Sequence, residues 1–174
     1  MEDQQKPTNK TALHFGIILG IVSVLISVII YALGMHYDQD WKTGTISFLA
    51  MAAVIFIGIK KFKELNGGIL SLGQSLKTGI GIALIGGIIS IIYSYIFMNF
   101  IEPDFIVNTI AGAEEKMLER NPNLTDEQIE QALSFSKKMM TPGIMISIGL
   151  VWSIFLGFVI SLISGLILKK TEDQ

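Results

Sequence analysis

The sequence predicts an all-α integral membrane protein: a four-helix bundle with an extra-cytoplasmic amphipathic helical hairpin between its third and fourth spans. Three observations lead there. Hydrophobic residues make up 51% of the 174 positions and charged residues only 16%, against about 25% charged in a typical soluble domain. The apolar residues fall in four long runs, and none of these runs has Asp, Glu, Lys or Arg in its interior. The charges that remain are sorted by segment, which the net value of −2 conceals.

Crossing about 30 Å of hydrocarbon takes roughly 20 apolar residues. The first span, residues 12–35, reads "ALHFGIILGIVSVLISVIIYALGM". The second, 44–59, is shorter and is stopped by "KKFKE". The third, 79–101, ends at Glu102-Pro103-Asp104, and the fourth, 143–168, ends at Lys169-Lys170. A charge at mid-bilayer costs about 2.5–3.5 kcal/mol, against roughly 0.3–0.6 gained per Leu or Ile. Charge-free interiors therefore favour insertion of all four, the second least. A single membrane domain over residues 1–174 is the simplest organisation. The first run is too long for a cleaved leader, and Glu2 and Asp3 sit beside its lysines, so it reads as an uncleaved anchor.

Orientation follows from Lys and Arg. Eight of the 13 lie in the N-terminal tail, the loop after span two and the C-terminal tail. The other five sit among ten acids on the opposite side. Both termini are then cytoplasmic, and residues 103–141 lie outside.

That outer insert is the soluble-looking part. Thr125 is placed to cap a helix, Gln128 to reach back to it, and Leu124 to staple onto Ile129. Asp126 and Glu127 fill the first turn and Lys137-Lys138 the last, which suits the helix dipole. At helical spacing Ile129, Leu133, Met139 and Met140 share one arc, a candidate contact face for lipid, a partner protein or a second copy. Upstream, Ile106, Ile110, Ala113 and Met117 form another stripe, and Asn121-Pro122-Asn123 separates the two. Asn123-Leu124-Thr125 has the form of a glycosylation acceptor, but capping already accounts for Thr125.

Inside a bilayer, helices approach closely where side chains are small. The fourth span carries Gly149, Ser153, Gly157, Ser161 and Gly165, every fourth residue. The third has Gly79, Ala83 and Gly87 on one face, and the first has Gly16 and Gly20. These predict a core of spans one, three and four with the second more peripheral. Small residues can alternatively line a pore or thin groove. Lys10-Thr11, Gly20, Ser23 and Ser27 also match Lys77-Thr78, Gly87, Ser90 and Ser94 at an offset of 67, which raises the question of a duplicated hairpin.

Catalytic chemistry is sparse. His36, Asp38 and Asp40 share a short outer loop, but a metal needs further ligands and none follows at useful spacing. His14 lies near the inner end of span one without a carboxylate beside it. "NGGILSLGQSLKTG" lacks the Gly-Lys-Ser/Thr of a phosphate loop, and Ser71 with Gln74 reads better as a capping box. With no Cys, thiol chemistry is excluded. No ionisable residue lies within a span to couple an ion. No catalytic residue, cofactor, metal or nucleic-acid partner is expected.

The stretches "NGGILSLGQSLKTG" before span three and "NPNLTDEQIEQAL", running on to "KKMMTPG", before span four resemble a bacterial family of small four-span membrane proteins, of Bacteroidetes type, catalogued as a domain of unknown function. The resemblance covers nearly the whole chain. It implies this topology and an inner-membrane location, and supplies no catalytic residue. The expectation is a non-enzymatic accessory, assembly or interaction component. The alternative is a small transporter or channel subunit, with a lipid-acting enzyme using His36 and Asp38 further off.

Overall fold

The computed structural model describes residues 5–37 and 41–170. Six α-helices follow one another: α1 (Gln5–Ala32), α2 (Trp41–Leu65), α3 (Leu72–Ile96), α4 (Phe105–Arg120), α5 (Asp126–Met139) and α6 (Pro142–Leu168). A π-helical turn, Phe97–Ile101, prolongs α3. Four helical stretches are long and apolar enough to cross a membrane: Thr8–Ala32, Trp41–Leu65, Leu72–Ile101 and Pro142–Leu168. Leu25, Ile29, Val151 and Ile167 on their outward faces are each more than half exposed, as expected where lipid is the solvent. The chain is thus an all-α, multi-pass membrane bundle in contact with the bilayer.

Local signals set the helix ends. At the end of α1, Gly34 (φ +69) takes the left-handed conformation. Met35 N then donates to Ile30 O and Gly34 N to Tyr31 O, the bond pair of a Schellman stop. The chain turns back at once, which brings His36 and Tyr37 under the helix end. Ser71 and Gln74 form a reciprocal capping box that starts α3, and Thr125 and Gln128 form another that starts α5. Between α2 and α3 the backbone pairs with the end of α6, Leu70 N to Lys170 O at 3.0 Å and Lys170 N to Leu70 O at 3.1 Å. This isolated bridge is the one piece of β pairing among the described residues.

Packing is centred on α3. It lies against α1 on one side and α6 on the other, while α2 contacts α1, α3 and α6. Near the chain termini the bundle is closed around Ile55, Ile59, Phe62, Ile82 and Ala83, all without exposed surface. Three of these belong to α2, so the expectation of a peripheral second span needs correction. Small residues mark where backbones approach, whereas α2 contributes large side chains that fill the resulting interior. Its first half diverges, with Trp41 and Leu49 more than half exposed.

Candidate functional site

The small residues sort into two groups by what faces them. A Cβ on Gly16 would lie 2.6 Å from Ile85 Cβ, and one on Gly20 2.6 Å from Ile89 Cβ. On the other side of α3, a Cβ on Gly79 would meet Ser161 Oγ, one on Gly157 would meet Ala83 Cβ, and one on Gly165 would lie 2.8 Å from Ser75 Oγ. Ser75 Oγ donates to Ser161 O across this contact at 2.8 Å. A Cβ on Gly87 would come within 2.9 Å of Ser153 Oγ, which itself donates to Ala83 O at 3.0 Å. Gly149 differs: nothing lies within 4 Å of the position its Cβ would take.

Gly149 faces a groove. Where α2 diverges, the hairpin-end halves of α1, α2, α3 and α6 leave a cavity of about 730 Å³. Trp41, Phe48 and Met51 of α2 form one wall and Trp152 of α6 another, with Gly86 and Gly87 of α3 along the floor. At its hairpin end Ser94, Met98 and Met145 also border a second cavity of about 280 Å³, walled by His36, Tyr93, Phe97 and Phe105.

A polar cluster stands at this end. His36 Nε2 lies 3.0 Å from Glu102 Oε2, with the two side chains 15% and 17% exposed. The distance is that of an ion pair, but neither atom has a hydrogen bond of good alignment, and His36 Nδ1 has no partner. Tyr37 donates its hydroxyl proton to Glu102 Oε1, and Asn108 Nδ2 donates to the Tyr37 oxygen at 2.9 Å. Aromatic rings enclose the imidazole: Tyr31 at 4.9 Å, Tyr37 at 4.1 Å, Phe97 at 6.3 Å and Phe105 at 6.4 Å between centroids. The π-helical turn shapes the approach of Glu102, whose N–H reaches Phe97 O at 2.8 Å, and it leaves adjacent Phe97 and Met98 both buried. π-Helical segments of this kind recur at functional sites.

His36 therefore has a carboxylate partner, but it comes from the end of α3. Asp38 and Asp40 lie outside the described residues. No group of three or more His, Cys, Asp or Glu side chains gathers among the described residues. His14 meets the ring of Phe15 edge-on at 5.3 Å.

The hairpin is rooted in this cluster through Phe105 and Asn108. Beyond the root α4 and α5 pack on each other, and neither holds a buried residue. Ile129, Leu133 and Met140 are half-buried, and Met139 is 40% exposed. The most exposed apolar side chains are instead Val107 and Phe135, at 65% and 64%. Phe135 falls outside the apolar arc assigned from sequence, and its aromatic character on an otherwise polar stretch was the available signal.

A family model described as "Protein of unknown function (DUF4199)" matches residues 14–170. No curated protein and no solved structure matches the chain.

Proposed function

The chain belongs to the DUF4199 family of proteins of unknown function, and on that premise we propose that it is a non-enzymatic interaction component of a bacterial inner membrane. The observation carrying this reading is the hairpin: two helices without one buried residue, fixed to the bundle at one end and presenting Phe135 and Val107 outward. Phe135 stands among Glu127, Glu130, Gln131, Ser134 and Lys138, and aromatic residues are enriched in protein interfaces. The lysine-rich ends of spans support cytoplasmic termini, which puts the hairpin outside.

The test is a photo-crosslinking residue at Met139 in native membranes, with and without Phe135→Asp. A discrete protein adduct that Phe135→Asp removes is the expected result. Adducts to lipid alone, or a protein adduct indifferent to Phe135→Asp, would refute the reading. A second reading, a small transporter or channel subunit, draws on the groove and predicts solute flux in proteoliposomes.

A further inference from the structure

We propose that the groove holds one acyl chain of a membrane lipid, entered sideways from the adjoining leaflet, with a primary ammonium head at His36, backed by the charge of Glu102. The proposal goes beyond the interaction reading, which rests on the hairpin and not on the groove.

Size comes first. At about 730 Å³ the space lies within the roughly 300–1,000 Å³ of small-molecule sites, whereas close-packed interiors hold few voids larger than a water. Between membrane-crossing helices the surrounding solvent is hydrocarbon, so hydrocarbon is what fills it. Along α3 the lining runs from Gly86 to Met98, about 18 Å at 1.5 Å per residue. One leaflet's share of a bilayer core of about 30 Å is about 15 Å. The length therefore suits a chain from one leaflet.

A solute path is disfavoured on two counts. Toward the chain termini the bundle is shut by Ile55, Ile59 and Phe62, so the groove ends blind. Four of its six hydroxyls are also occupied: Thr45 donates to Trp41 O, Ser47 to Thr43 O, Ser90 to Gly86 O and Ser153 to Ala83 O. With their protons spent on backbone carbonyls, these side chains present a largely apolar wall. Gly149 adds to the width, since no neighbour requires its lack of a side chain.

The head follows from the unsatisfied atoms. A carboxylate only accepts. Glu102 Oε1 already takes the Tyr37 proton, while buried Oε2 faces His36 Nε2 at 3.0 Å. His36 Nδ1, on the wall of the adjoining cavity, is an acceptor in the neutral ring whose Nε2 proton faces Glu102. One acceptor without a donor, His36 Nδ1, backed by the Glu102 carboxylate and ringed by aromatic faces, complements an ammonium group. Apolar groove and acceptor-rich end together match an amphiphile in both halves.

Both tryptophans of the sequence, Trp41 and Trp152, line the groove and report on it. The full chain in detergent micelles is titrated with phosphatidylethanolamine carrying brominated acyl chains, and tryptophan fluorescence is followed. Quenching is expected to saturate at an equimolar lipid. Phosphatidylglycerol with the same chains is expected to bind about tenfold more weakly, as is phosphatidylethanolamine to Glu102→Gln, the effect of one charge-assisted hydrogen bond. Gly149→Leu is expected to abolish the saturable phase, and Gly149→Ala to keep it. Quenching that never saturates in the native chain, or a saturable phase that survives Gly149→Leu, overturns the chain site. Equal affinity for the two lipids, or an unaltered Glu102→Gln, overturns the head assignment. The saturation and headgroup arms use the native chain, so they decide even where Gly149→Leu does not fold.

Discussion

Gly157→Ala and Gly149→Ala make the same chemical change on the same stripe of α6, and the structure predicts opposite outcomes. Each gains up to about 1 kcal/mol of helix propensity. At Gly149 nothing lies within 4 Å of the new methyl, so the gain is kept. At Gly157 the methyl meets Ala83 Cβ, with Gly79 O at 3.6 Å and Ala83 Cα at 3.8 Å behind it. Ala83 has no rotamer to move away, so α3 and α6 themselves must separate. Overpacking costs about 1–3 kcal/mol, and the upper end applies because backbone has to shift. The net for Gly157→Ala is a loss of about 2 kcal/mol once the propensity gain is subtracted. Unfolding in mixed micelles, followed by circular dichroism, measures both variants against the native chain. Adding Ala83→Gly to Gly157→Ala moves the methyl from one helix to the other and is expected to recover most of the loss, a coupling that only contacting residues show. Gly157→Ala as stable as Gly149→Ala, or no recovery with Ala83→Gly, would refute the packing argument.

Ser75→Ala removes the buried bond to Ser161 O and is expected to cost about 0.6 kcal/mol and at most about 1.7, the range for hydrogen bonds between membrane helices, in the same assay. Gly34→Ala forces a side chain into the φ +69 conformation that stops α1. It is expected to destabilise by about 1–2 kcal/mol and to raise hydrogen exchange at His36 and Tyr37. Deleting Asn99 from the π-helical turn rotates the downstream chain by about 100°, so Glu102 is expected to leave His36 and protease sensitivity to rise at the hairpin root; unchanged sensitivity would count against the turn's role. In the naturally cysteine-free chain, Ser134→Cys is expected to react with an impermeant thiol reagent on intact cells and Glu64→Cys only after lysis, and the reverse pattern would overturn the orientation.

What was legible in the sequence is what is encoded within a few residues. The capping boxes at Ser71 and Thr125 and the four apolar runs each depend on near neighbours, and the structure contains them. Partners across space were harder to read. Gly149 and Gly157 occupy equivalent places in one four-residue repeat, and only the neighbour opposite distinguishes a contact from a groove. The burial of Ile55, Ile59 and Phe62 escaped a criterion based on small residues, because large side chains fill a core while small ones let backbones meet. His36 and Glu102 each stand where a span meets the same side of the membrane. That topology held the hint of their pairing, but the nearer Asp38 and Asp40 drew the search for partners of His36.

The two halves of α3 explain why one bundle can be sealed at one end and open at the other. In the first half, Gly79 and Ala83 meet Ser161 and Gly157 of α6 without side chains to hold the helices apart. Ile55 and Ile59 of α2 complete that interior. In the second half, Gly86 and Gly87 still meet Leu19 of α1 and Ser153 of α6, but α2 has diverged and no large residue replaces it, so open space is left beside these contacts. The small residues of α3 thus bring backbones together in both halves, and α2 decides whether the space beside them is filled. The open half runs to the π-helical turn, and that same turn carries Glu102 to His36 and leads into α4. Groove, polar cluster and hairpin root are therefore built on one continuous stretch of α3, and a displacement of that stretch acts on all three together.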